Sequence, residues 1–290
     1  MQRVVITGAG GQLGSELVAS APDVELLALG RDALDIADAA AVRQRIVGLR
    51  PDLVINAAAY TAVDRAESEP ELARAINSDA PGYLAGACAE ANARLIHVST
   101  DFVFDGAASM PYLPDDKTDP LGVYGASKLA GERAVQHELP SALIVRTGWV
   151  YSRFGGNFVK TMLRLMAERN SLNVVCDQVG TPTWAAGLAD AIWGFSQRPQ
   201  LHGIYHWSDA GVCSWYDFAV AIAEEGLSRG LLPHPVDVQP IPAADYPTPA
   251  RRPAYSVLDK SGSWRDLETR GDHWRVQLRR MLDELVAQSN

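Results

Sequence analysis

Cysteine is scarce in this chain: Cys88, Cys176 and Cys213 are the only three among 290 residues, far apart and odd in number. No Cys-x-x-Cys pair or Cys/His cluster accompanies them, so neither a disulfide framework nor a zinc site is indicated. Three buried free thiols are expected instead. Long apolar runs are also missing: no stretch approaches the ~18 residues of a membrane span, and no basic segment leads into an apolar one. Basic residues are outnumbered, 26 against 35 acidic, for a formal charge of −9. That balance gives no general attraction to nucleic acid or to an anionic membrane, though a local arginine cluster can still hold an anionic substrate. Repeats and low-complexity tracts are absent. The expectation is a cytoplasmic protein with a small-molecule substrate and neither nucleic acid nor membrane as partner.

What is present is ordinary globular material, 47% hydrophobic and 21% charged, long enough for two unequal lobes around one cleft. Apolar runs of strand length recur at 3–7, 24–29, 53–56, 95–99 and 143–146, separated by helical patterns at 12–20, 39–49, 71–92 and 124–138. Strands alternating with helices predict a parallel sheet covered on both faces, with the ligand cleft at the carboxyl strand ends. Gly8, residues 56–61, 99–101 and 147–149 all follow strands and should converge there. Beyond about residue 151 the pattern loosens. Helices are expected at 155–167 and 214–225. Residues 233–253 hold seven of the 17 prolines and read as an extended loop. The fold class is therefore α/β: a doubly wound parallel Rossmann-type sheet over 1–150, and a smaller C-terminal substrate-binding lobe over 151–290. The boundary is soft, with the chain crossing back around 177–195.

Two local patterns carry chemistry. Val4-Val5-Ile6-Thr7 runs into glycines at 8, 11 and 14 and then a helical pattern. That is a tight turn able to bring backbone close to a pyrophosphate at a helix N-terminus, although Gly-x-x-Gly-x-x-Gly is looser than the commonest dinucleotide fingerprint. Further on, Tyr124 and Lys128 stand four residues apart, on one helix face, with Ser99-Thr100-Asp101 upstream. A free phenol is a poor proton donor-acceptor at neutral pH. A nearby ammonium lowers its pKa, and a strand-end hydroxyl can hold the substrate oxygen.

Together these motifs resemble the extended short-chain dehydrogenase/reductase family, and within it the reductases of dTDP-linked 4-ketosugars. The likeness runs nearly end to end, through residues 56–70, Ser99 to Gly106, Arg146 to Tyr151, Asn157 to Met162, Asp177 to Thr183 and Pro247 to Pro253. It implies hydride transfer from NADPH, with NADH as a second donor, to a sugar C4 ketone. In that scheme Tyr124 is the proton donor, Lys128 lowers the phenol's pKa and binds the nicotinamide ribose, and Thr100, in preference to Ser99, holds the ketone oxygen. Gly8, Gly11, Gln12, Leu13 and Gly14 would form the cofactor turn. Asp35 and Ile36 would flank the adenine, and Ala58, Ala59, Tyr60 and Thr61 the ribose and pyrophosphate. Asp101, Phe102, Trp149 and Asn157 would line the sugar, with Arg251 and Arg252 on the diphosphate or base.

Two details refine this expectation. Related 4,6-dehydratases carry Asp-Glu directly after the Thr, where this chain has Asp101-Phe102. The missing second carboxylate favours simple ketone reduction over dehydration. Where an NAD-preferring enzyme has an acidic residue after the second strand, this chain has Arg31, suited to a 2′-phosphate. Some family members dimerise around a carboxylate-bound Mg2+, which makes a homodimer and Mg2+ expectations from the resemblance, with no ligands identifiable here. The competing readings are a reductase of another nucleotide 4-ketosugar and a noncatalytic regulatory subunit resembling the β subunit of methionine adenosyltransferase. His97, inside a strand, reads as a satisfied core histidine.

Overall fold

A computed structural model describes residues 1–289. The chain begins β1 (Arg3–Thr7), α1 (Gln12–Ala19), β2 (Glu25–Leu29), α2 (Ala39–Leu49) and β3 (Leu53–Asn56). Short helices α3 (Val63–Ala66) and α4 (Pro70–Arg74) lead into α5 (Ala80–Ala91), followed by β4 (Arg94–Thr100), α6 (Val123–Glu138) and β5 (Leu143–Thr147). Then come β6 (Val150–Tyr151), α7 (Phe158–Glu168), β7 (Ser171–Val175), β8 (Val179–Gly180), β9 (Thr183–Trp184), α8 (Ala185–Ser196) and β10 (Gly203–His206). The chain closes with β11 (Cys213–Ser214), α9 (Trp215–Ser228), β12 (Asp237–Ile241), α10 (Ser261–Asp266) and α11 (Trp274–Ser289).

The central sheet is wholly parallel, in the order β10-β5-β4-β3-β1-β2. Val4, Val5 and Ile6 are all fully buried, because helices cover both faces and the strand has no polar side to show. Ile6, Ile55, Ile96 and Val145 pack with α1 and α8 on one face; Val5, Val54, Leu95 and Ile144 pack with α2, α5 and α6 on the other. Strand order reverses at β1, between β2 and β3, which opens a crevice at the carboxyl ends of β1 and β3. Thr7 is in register with Asn56, Asn56 with His97, and Thr100 with Thr147, so the strand ends reach the cleft together.

Several expectations change. The chain's return after β9 supplies both α8 and a sixth sheet strand, β10, which the sequence pattern did not mark. The helix expected over 71–92 is interrupted by a π-turn at Ala75–Asp79, which inserts the buried Asn77. The proline-dense stretch is not loop throughout, because β12 pairs in parallel with β7. Asp237 donates its N–H to the Asn170 carbonyl, so residues 239 and 241 share that side and Pro240 turns its missing donor outward. The Cys176 side of the thiol expectation also fails: Cys88 and Cys213 are buried, Cys176 only partly. A second core, containing Tyr151, Val159, Met166, Phe218, Ile222 and Leu278, holds α7, α9 and α11 together. No helix among the described residues is long and apolar enough to cross a membrane.

Candidate active site

The turn after β1 is shaped by backbone crowding. Gly8 has φ +72, and a Cβ there would lie 2.6 Å from the Ala58 backbone. A Cβ at Gly14 would fall 2.1 Å from the Gly8 carbonyl oxygen. Neither position admits a side chain, which is what lets α1 start hard against the turn. The first amides of α1 have no side-chain cap, so the helix offers free N–H groups and the positive end of its dipole to the crevice. Across the crevice, Asn56 orders the loop after β3: its Oδ1 accepts from Thr7 Oγ1 at 2.7 Å and from the Ala58 N–H at 3.1 Å. Asn77, delivered by the π-turn, clamps Tyr60 by accepting from its N–H at 2.8 Å and donating to its carbonyl at 2.9 Å. These features fit a dinucleotide pyrophosphate at the turn, with the backbone of Ala57 and Ala58 packed against Gly8.

At the end of β4, Thr100 is buried, donates to Asp101 Oδ1 at 3.1 Å and sets its hydroxyl beside that of Tyr124, which projects from the first turn of α6. Burial pushes the Tyr124 phenol up to about 12, the Asp101 charge adds to the rise, and the Thr100 hydroxyl opposes it. Phe102 packs edge-on to the Tyr124 ring at 5.5 Å. Lys128 is 2% exposed and donates Nζ to the Val98 carbonyl at 2.7 Å. Burial pulls its pKa down to about 8, against the favourable charge of Glu132. The Lys128 ammonium is thus tied to the β4 backbone. Ser99 faces the other side of β4 and donates to Glu132 at 2.5 Å, which leaves Thr100 as the hydroxyl beside Tyr124. Asp101, pushed up to about 6 by burial, is hydrogen-bonded to Ser256 and Thr100. A Cβ at Gly148 would strike its carboxyl at 2.5 Å.

The remaining sequence candidates divide. Arg31 and Asp35 are exposed along a cavity of about 590 Å³ that also includes Arg45, whereas Ile36 packs down into the core. The Tyr60 phenol donates to Glu69 at 2.5 Å. Asn157 caps α7 and donates to Gln12 Oε1 at 3.0 Å, tying the second lobe to the glycine turn. Trp149, at φ 51, stacks on Trp215 with ring centroids 3.5 Å apart. Arg251 is exposed, but Arg252 is held by Asp64 and Thr248 at the edge of a cavity of about 740 Å³ whose walls include Phe158, Val174, Trp215 and Tyr246. His97 is only half satisfied: Nδ1 meets Asn56 Nδ2 at 3.0 Å, and Nε2 is buried without a partner. Among the described residues no group of three or more His, Cys, Asp or Glu could hold a metal ion.

Sequence reasoning missed Asn77, Trp215, Asp64 and the Glu132–Arg146 pair. Their roles come from contacts across 14 to 188 positions of chain. For Asn77 the only local signal is a polar residue interrupting an apolar helical pattern.

A glycine turn feeding a helix at a sheet's switch point, with a Thr–Tyr hydroxyl pair beside it, places the chain among the Rossmann-fold oxidoreductases. Within that class the chain belongs to the family of the RmlD substrate binding domain, whose model matches residues 1–287. It is 44% identical over 294 residues to a dTDP-4-dehydrorhamnose reductase of Sinorhizobium fredii, covering 98% of each. It is also 42% identical to a Streptomyces antibioticus protein named as a probable dTDP-4,6-dihydroxy-2-methyloxan-3-one 4-ketoreductase, covering 98% of this chain and 96% of the relative. Among solved structures it is similar to a Bacillus anthracis dTDP-4-dehydrorhamnose reductase in complex with NADP, with TM-score 0.93 and 36% identity over 98% of this chain and 100% of that one.

Proposed function

We propose that this protein reduces the C4 ketone of dTDP-4-dehydro-L-rhamnose to dTDP-L-rhamnose, with NADPH as the preferred donor. The observation that carries the reading is the Thr100–Tyr124 hydroxyl pair, in a chain whose glycine turn admits no side chain at Gly8 or Gly14. When bound, the reduced nicotinamide supplies the hydride. The chain's own groups then manage the oxygen. Thr100 donates to the ketone oxygen and orients the carbonyl, and Tyr124 delivers the proton as charge builds there. Lys128, from the same helix, favours the phenolate and takes the nicotinamide ribose once its bond to Val98 is exchanged.

Around this centre the roles divide by lobe. Residues 1–150 hold the cofactor, with Arg31 on a 2′-phosphate and Asp35 and Ile36 at the adenine end. Residues 151–290 cap the substrate, apart from α8 and β10, through which the chain returns to the central sheet. The 740 Å³ cavity, with apolar walls and Arg252 at its edge, suits the nucleotide part of a dTDP-sugar. Asp101, Phe102, Trp149 and Asn157 meet the sugar. The family resemblance adds a homodimer to this reading.

A second reading has one specific observation behind it. The Streptomyces antibioticus relative is named for a different dTDP-linked ketosugar. Assaying NADPH oxidation with dTDP-4-dehydro-L-rhamnose, its UDP counterpart and a second dTDP-4-ketosugar decides the matter. Oxidation confined to the first substrate supports the proposal. Faster oxidation with the third supports the alternative.

A further inference from the structure

Behind the Thr100–Tyr124 pair lies a second polar cluster that the reaction as described does not use. Glu132 stands one turn beyond Lys128 on α6 and is 1% exposed. Its Oε1 accepts from Ser99 Oγ at 2.5 Å and from Arg146 Nε at 2.9 Å; its Oε2 accepts from Arg146 Nη2 at 2.8 Å. Arg146 is also buried, donates Nη1 to the Pro114 carbonyl at 3.0 Å and lies over the Phe104 ring. Taking two charges this far from water is costly, and an apolar pair of similar volume often serves stability as well or better. Stability alone is therefore a weak reason for the pair.

Its connections supply a better one. Ser99 immediately precedes Thr100 on β4. Arg146 immediately precedes Thr147, the residue in register with Thr100 on β5. Lys128 is bonded to the carbonyl of Val98, one residue further back. Three successive residues of β4 are thus engaged by α6: Val98 by Lys128, Ser99 by Glu132 and Thr100 by Tyr124.

We propose that Glu132, pinned by Arg146 and Ser99, is a positioning residue for the reduction, holding Lys128 and the Thr100 end of β4 in working register. The inference rests on the reductase reading above. Glu132 is also the anion that favours protonated Lys128 against the pull of burial. The charged and titratable groups around the cluster are Tyr124 and Lys128 on α6, His97 on β4, Asp101 beyond its end, Arg146 on β5 and His206 on β10. Burial together with a neighbouring cation, Lys128 for His97 and Arg146 for His206, keeps both imidazoles neutral. Replacing Glu132 by an amide would remove the anion that favours protonated Lys128, which lowers the lysine's pKa further.

The test compares Glu132→Gln and Ser99→Ala with the parent enzyme. The readouts are thermal melting, NADPH binding, kcat and a side-chain NMR titration of the apo protein, made simple by its four lysines. Glu132→Gln should melt cooperatively, bind NADPH within about threefold of the parent, lose about tenfold or more in kcat, and move the Lys128 midpoint down by about one pH unit. Ser99→Ala should lower kcat by about tenfold while leaving the Lys128 midpoint in place. A folded Glu132→Gln with kcat within about twofold of the parent overturns the role, as does a loss of kcat with Lys128 unmoved, which marks the pair as structural only. If Glu132→Gln does not fold, Ser99→Ala decides: kcat within about twofold of the parent overturns the proposal. A parent that binds NADPH but oxidises it with no nucleotide ketosugar fails the reductase reading instead, while the lysine titration still reads the Glu132–Lys128 coupling.

Discussion

Arg252 and Asp64 form a two-point ion pair, with Nη2 2.8 Å from Oδ2 and Nη1 3.0 Å from Oδ1, across 188 positions of chain. The pair joins α3 to the proline-rich segment at the edge of the nucleotide-sized cavity. It holds the Asp64 carboxyl below the usual carboxylate range, first through this hydrogen bond. Because both side chains are partly exposed, at 26% and 38%, the pair contributes no more than about 1 kcal/mol to stability. Its larger effect falls on binding. Arg252→Ala should raise KM for the dTDP-sugar about tenfold with KM for NADPH unchanged. Steady-state kinetics in both substrates, with melting as the control, checks this; equal changes in both KM values would contradict it.

In the proposed reaction Tyr124→Phe removes the proton donor and little else, since the side chain that acts on the phenol oxygen is Thr100. Turnover should fall by about 10²–10⁴ while NADPH binding stays within about twofold. A variant retaining more than a tenth of parental kcat would mean another group delivers the proton.

Lys128 carries a pH dependence whose sign can be worked out. Burial lowers its pKa to about 8, and the protonated form is the one that favours the phenolate and the ribose. Activity should therefore decline as pH rises through about 8. In the native protein the buried cation sheds its proton before the unfolded chain does. Folding stability should rise between about 8 and the ordinary lysine value of 10.5. Lys128→Met should abolish turnover, weaken NADPH binding and raise the melting temperature at neutral pH, a gain that shrinks across that window. Melts and rates across pH check both halves.

Gly14→Ala places a methyl where the Gly8 carbonyl oxygen already stands. Backbone must move, at a cost of about 2–3 kcal/mol, and the phosphate turn loses its shape. Cofactor binding should be lost before cooperative melting is. Retained parental affinity for NADPH would separate this turn from the cofactor.

Arg31→Ala should raise KM for NADPH by about tenfold or more and leave KM for NADH nearly unchanged, because only the phosphorylated cofactor offers a partner to the exposed guanidinium. Parallel changes in the two would assign the choice of cofactor elsewhere, with Arg45 across the same cavity the next residue to vary.

What was legible in the sequence follows from how far apart the interacting residues lie. The turn at Gly8 and the Tyr124–Lys128 spacing are local patterns, and alternating strands and helices imply the parallel sheet without any long-range knowledge. β10 escaped because its short run, Gly203–His206, is set among loops and joins the sheet only by pairing with β5. β12 escaped because proline argues against a strand unless the outward-facing edge is known. Helix periodicity puts Lys128 on the face of Tyr124, but it cannot reveal the bond to the Val98 carbonyl on β4. The sequence suits Arg251 and Arg252 to a diphosphate or base; the partner of Arg252, Asp64, is visible only once the two lobes meet.

The central claim is that hydride passes from a reduced nicotinamide to C4 of a dTDP-linked ketosugar. NADPH carrying deuterium at the transferable position, incubated with dTDP-4-dehydro-L-rhamnose and this enzyme, tests it directly. The product, read by NMR and mass spectrometry, should be dTDP-L-rhamnose with one deuterium at C4 and none at C5. Product without deuterium, or with it at any other carbon, would contradict the account.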